Sequence, residues 1–93
     1  MDQLTKIISE TLEALVDESG WSPPINLAVV GSNGAVLVAR YAAGGESLEC
    51  EIVAESYDDR GIATPLNMFF TNTNGDAARV LLEVDGGTPR RVH

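Results

Sequence analysis

Histidine is nearly missing from this chain; its one example is His93, the last residue of the sequence. Chain ends fray more often than they hold catalytic geometry. Ser-His-Asp and Cys-His arrangements, and most zinc sites, are therefore not expected. Cysteine is equally scarce: Cys50 stands alone, which excludes an intramolecular disulfide and any multi-cysteine metal site. Basic residues number 6 against 14 acids, for a net charge of -8. A surface so acidic repels phosphate backbones, so direct nucleic-acid binding is not expected. No apolar run approaches the length that crosses a bilayer, so no membrane partner is expected either. The first eighteen residues carry Asp2, Glu10, Glu13, Asp17 and Glu18, unlike the basic start and apolar stretch of a signal peptide. A cytoplasmic location is the simplest expectation. No catalytic residue, cofactor or metal ligand is identified, and the chain is read as non-enzymatic.

The acids are unevenly distributed. Residues 46–59 hold Glu46, Glu49, Glu51, Glu55, Asp58 and Asp59 with no base, whereas residues 60–93 carry four arginines against three acids. Plain solubility accounts for such a stretch, and so does a protein partner with a basic face. Asp58 and Asp59 match no calcium-loop spacing and read as a solvated turn.

Ninety-three residues suffice for a single domain with one modest core. Leu4, Ile7, Ile8, Leu12, Leu15 and Val16 recur at helical spacing. They predict an amphipathic helix over about residues 2–19, capped by Asp2 and closed by Gly20. Pro23 and Pro24 then lead into extended chain. From Ile25 the apolar period falls to two, predicting strands at about 25–31, 35–42, 47–56, 65–72 and 77–85, then a flexible tail over 86–93. The last strand has a rival: Asp76 could cap a short helix closed by Gly86. Its valines and the preceding Asn-Gly favour a strand.

Two glycine-bearing loops fix the pairing. In an antiparallel pair, directly opposed residues share a face. A three-residue loop Ser32-Asn33-Gly34 sets Val29 opposite Leu37, Leu27 opposite Ala39 and Ile25 opposite Tyr41. A two-residue loop would instead put Arg40 among the aliphatics. By the same test Thr73-Asn74-Gly75 sets Phe70 opposite Ala78, Met68 opposite Val80 and Leu66 opposite Leu82. Neither loop is a phosphate-binding or nucleophile turn, because the flanking Lys-Ser/Thr or Gly-x-Ser-x-Gly pattern is absent. The hairpin Ile25–Tyr41 loosely resembles the paired strands of roadblock-type and profilin-like domains. The resemblance is generic and the helix that follows in roadblock domains is missing, so it assigns no family.

The expected fold is α+β: an N-terminal amphipathic helix packed on one face of an antiparallel β-meander of four or five strands. Cys50, Ile52 and Ala54 join Leu48 on the expected core side, where Cys50 would be a buried, inert thiol, and Val84 is placed there too. The opposite face would present Ala28, Val30, Val36, Val38, Val53, Phe69 and Leu81. Its border would be Asn26, Arg40, Glu49, Glu51, Glu55, Asn67, Arg79 and Glu83. A rimmed apolar patch that one helix leaves uncovered has the form of an association surface, though scattered exposed valines are common in strands. The leading expectation is thus a small acidic interaction module, an inhibitor or adaptor. One specific form is an anti-defence inhibitor of a nucleic-acid-handling complex. A homodimer through the same face is also expected, with the face then only structural. A pocket between helix and sheet, with Tyr41 or Tyr57 as polar contact, is the small-ligand or enzymatic alternative.

Overall fold

The computed structural model describes residues 3–83 and 90–92. Helix α1 spans Gln3–Asp17 and is followed by strands β1 (Ile25–Gly31), β2 (Val36–Gly44), β3 (Ser47–Ser56), β4 (Leu66–Asn72), β5 (Ala77–Leu82) and β6 (Arg90–Val92). The fold is α+β with an antiparallel sheet, as the change of apolar period from 3.6 to 2 requires. The helix ends where Gly20 adopts a left-handed φ of 72°. The backbone N–H of Trp21 then reaches back to the Leu15 carbonyl at 2.9 Å. Trp21 itself is buried in the core. Asp2, the expected helix cap, lies outside the described residues.

Meander order holds within β1–β2–β3 and within β4–β5–β6, and one longer connection joins the halves. The sheet order is β3-β2-β1-β4-β5-β6, with β4 beside β1. The first four strands therefore form a Greek key, three hairpin-linked strands and a fourth that returns beside the first. Residues 77–82 are strand, so the helical alternative is removed. Residues 90–92, expected as flexible tail, instead pair with β5, Leu81 opposite Arg90. Val84 and the remaining tail residues lie outside the described residues.

Both three-residue loops form as parity requires. Ile25↔Tyr41, Leu27↔Ala39 and Val29↔Leu37 are opposed across β1–β2. Phe70↔Ala78, Met68↔Val80 and Leu66↔Leu82 are opposed across β4–β5. Gly34 and Gly75 take φ of 83° and 88°, left-handed positions that side-chain-bearing residues occupy only with strain.

The core is sharply localised. Ile7, Ile8, Leu12 and Leu15 of the helix bury against Ile25, Leu27 and Val29 of β1 and Leu66, Met68 and Phe70 of β4. Ala39, Val80 and Leu82 complete it from the flanking strands. A helix is roughly 10–12 Å across with its side chains. Strands stand roughly 4.8 Å apart, so one helix covers only two or three of them. At the edge of the sheet, β3 is left out. Cys50, Ile52 and Ala54, expected in the core, are all exposed, and of this strand only Leu48 is even half-buried.

Candidate interaction surface

Register places the uncovered face in rows. Ala54, Val38, Ala28, Phe69 and Arg79 stand side by side across five strands, and Ser56, Val36, Val30, Asn67 and Leu81 form the next row. A third runs Glu51, Arg40, Asn26, Thr71 and Ala77. Val30, Val36, Val38, Phe69 and Leu81 are thus brought onto one face, with Arg40, Glu49, Glu51 and Arg79 around them. Phe69 is 40% exposed and Val30 38%, large values for apolar side chains in central strands.

A β-bulge corrects the expected border. The β2–β3 register slips after Val38: Ala39 opposes Ile52 but Val38 opposes Ala54, leaving Val53 as the extra residue. A bulge reverses the facing of the residues beyond it. Glu55 therefore opposes Leu37, on the helix side of the sheet, and not the face that carries Glu49 and Glu51. Ala54 moves the other way, to the outer face, and Val53 is 60% exposed at the bulge itself.

β3 is consequently amphipathic and open. Glu49 and Glu51 point to the outer face, while Leu48, Cys50 and Ile52 point to the helix side, where Ile52 is 50% exposed. Cys50 is a free, exposed thiol, not the buried one expected. Between this hairpin and the helix runs a groove of about 540 Å³ lined by Leu12, Val16, Pro23, Tyr41, Ala43 and Leu48, with Glu13, Asp17 and Glu46 at its margin. Tyr41 titrates well above the usual phenol range, first because burial disfavours the phenolate and then because of the neighbouring Cys50 thiol.

The connection 57–65 carries the remaining acids. Asp58 accepts from the Arg60 backbone N–H at 2.9 Å and from its guanidinium Nε at 3.0 Å, so Arg60 holds its carboxyl below the usual range. Tyr57 donates its hydroxyl to Glu55 Oε2 at 2.8 Å, a bond that raises its own pKa. These groups are solvated and locally satisfied. Among the described residues no group of three or more His, Cys, Asp or Glu could hold a metal ion, and no helix is long and apolar enough to cross a membrane.

The glycine-flanked first turn does more than set register. Asn33 Nδ2 donates to the Gly61 carbonyl at 3.1 Å, and Asn33 Oδ1 accepts from the backbone N–H groups of Ala35 and Ala63, both at 3.2 Å. The Ser32 backbone N–H donates to the Ala63 carbonyl at 3.1 Å and its hydroxyl to the Thr64 carbonyl at 3.1 Å. A Cβ on Gly31 would fall 2.7 Å from the Ile62 side chain. The turn thus fastens the long connection that carries the chain from β3 across to β4. The sequence gives no sign of this role, because the partners are carbonyls and amides about thirty residues away, which leave no local signature.

No protein-family model matches the chain, and neither curated proteins nor solved structures include a significant match to it.

Proposed function

We propose that this protein is a small acidic interaction module, an inhibitor or adaptor without catalytic activity, whose partner presents a basic face. The observation that carries the reading is the meeting of two surfaces at β2–β3. The apolar rows around Val38 and Phe69 run directly into a strand that carries Glu49 and Glu51. Among the described residues, the ion pair in this region is Asp58 with Arg60. Glu49 and Glu51 are exposed and make no ion pair among the described residues, although Arg40 stands opposite Glu51. Apolar centres with charged margins are the usual anatomy of protein interfaces, and acids at the margin accelerate encounter with a basic surface. Occupation of a phosphate-binding groove by these acids is the specific form that would make the protein an inhibitor of a nucleic-acid-handling complex.

The test is capture of the partner from the native host, followed by measured affinity for variants of each surface. Val38→Glu and Phe69→Glu should weaken binding through the apolar rows. Glu49→Lys with Glu51→Lys should weaken it in a salt-dependent manner. Affinity unchanged by both sets and insensitive to salt would overturn the reading. A second copy covering the same apolar rows is the competing arrangement. Sedimentation decides it, since a monomer at all concentrations removes the homodimer.

A further inference from the structure

The strand that carries the acids is also an unpaired sheet edge. β3 ends the sheet order, and among the described residues no strand pairs with its outer side. The hydrogen-bond phase decides which backbone groups it leaves free. Gly31 donates to the Ala35 carbonyl at 2.9 Å, so Ala35, Leu37, Ala39 and Tyr41 turn their backbone groups toward β1. The alternate residues of β2, Arg40, Ala42 and Gly44, then bond to β3 through their register partners Glu51, Glu49 and Ser47. Leu48, Cys50 and Ile52 are left with N–H and C=O directed away from the sheet.

Sheet edges invite another strand, and proteins commonly guard them with charge, bulges or cover. Here the bulge at Val53 interrupts the edge above Ile52, but residues 47–52 remain regular. A second copy is a poor occupant. Antiparallel pairing of two such edges centred on Glu49, Cys50 or Glu51 sets glutamate against glutamate, and any other centre within 47–52 overlaps three regular residues or fewer. Like charges directly opposite are destabilising. The complement is an extended segment with basic side chains at alternate positions. Its lysines or arginines would stand opposite Glu49 and Glu51 on the outer face. Its intervening apolar side chains would cover Leu48, Cys50 and Ile52, with the groove beside Tyr41 and Leu48 open to receive the nearest of them.

We infer that the free edge of β3 over residues 47–52 binds its partner by strand addition, taking a segment of alternating basic and apolar residues as a seventh strand. Main-chain bonds supply affinity in this mode and alternate side chains supply specificity. The inference rests on the proposed acidic interaction module and names the contact through which it works.

The probe is a capped seven-residue peptide of alternating lysine and valine. Its controls are the same composition with lysines and valines in separate blocks, and the alternating peptide N-methylated at every second amide. The alternating peptide should bind in a salt-dependent manner and slow amide exchange at Leu48, Cys50 and Ile52. Glu49→Lys with Glu51→Lys should weaken it by roughly tenfold or more, two attractive cross-strand pairs becoming repulsive. Cys50→Pro deletes an outward N–H on an edge strand, a setting that tolerates proline, and should abolish binding, whereas Cys50→Ser should not. The N-methylated peptide supplies the same test without altering the protein, should Cys50→Pro not fold. Equal binding of the block peptide, or binding without protection of these amides, overturns strand addition while leaving an acidic docking surface standing. Absence of binding by every peptide also overturns it, and the wider reading then stands or falls on the Val38→Glu and Phe69→Glu partner measurements.

Discussion

Two turns that look alike in sequence, Ser32-Asn33-Gly34 and Thr73-Asn74-Gly75, should respond very differently to loss of their asparagine. The Asn33 side chain makes three bonds, to the Gly61 carbonyl and to the Ala35 and Ala63 amides. Two of them reach the connection between β3 and β4. The Asn74 side chain makes no hydrogen bond among the described residues; only its backbone N–H is engaged, by Asn72 Oδ1 at 3.0 Å. A protein hydrogen bond contributes about 0.5–1.5 kcal/mol net, and water can replace part of an exposed one. Asn33→Ala should therefore cost about 1–2 kcal/mol, with each bond counted near the lower end. For a domain of this size that lowers Tm by about 5–15 °C. Asn74→Ala should stay within about 0.5 kcal/mol of wild type. Thermal unfolding followed by the fluorescence of buried Trp21 measures both, and amide exchange at Ala63 reports whether the connection has come loose. Equal losses for the two variants would refute the assignment of a fastening role to the first turn, as would unchanged protection at Ala63.

The second turn has its own organiser. Asn72 is buried, its Oδ1 accepts from Asp76 N–H at 2.9 Å and its Nδ2 donates to Asp76 Oδ2 at 3.0 Å. Asn72→Ala should cost about 1–2 kcal/mol, since the Asn74 and Asp76 amides lose their acceptor, and urea unfolding checks it. Cys50 should react with a thiol reagent in the folded protein without prior unfolding, because the thiol is free and exposed. Reaction limited by unfolding would place β3 under cover. Tyr41 ionises less readily folded than unfolded. Its contribution is complete below the ordinary phenol value of 10.0 and is lost as pH rises beyond it. Stability measured from pH 8 to 11 should fall at the alkaline end, and Tyr41→Phe should flatten that fall.

What the sequence made legible is what local chain geometry decides. Loop parity placed Leu27 opposite Ala39 and Met68 opposite Val80 because each pair closes through a three-residue turn. The pairing of β1 with β4 is different: Leu27 meets Phe70 across more than forty residues, with no turn to set the register. The path of the intervening chain depends on the bonds of Ser32 and Asn33, which no apolar period encodes. Strand β6 escaped notice for a related reason, since three residues are too few to establish a period of two.

The expectation for β3 failed in a way that bears on function. Alternation of Leu48, Cys50 and Ile52 with Glu49 and Glu51 separates two sets of side chains, but it does not say whether either set is covered. Cover depends on width: a single helix reaches the strands at the centre of this sheet and stops short of its edge. Inside a domain, that alternation marks a strand with one buried face. At an edge beyond the helix, the same alternation describes a surface with apolar and acidic sides both open to solvent, which is costly to leave exposed and easily matched by another strand. The bulge at Val53 sharpens the contrast, because it turns Glu55 to the helix side and so limits the regular edge to the few residues below it. A strand added at this edge would therefore have a defined length and a defined place for basic residues.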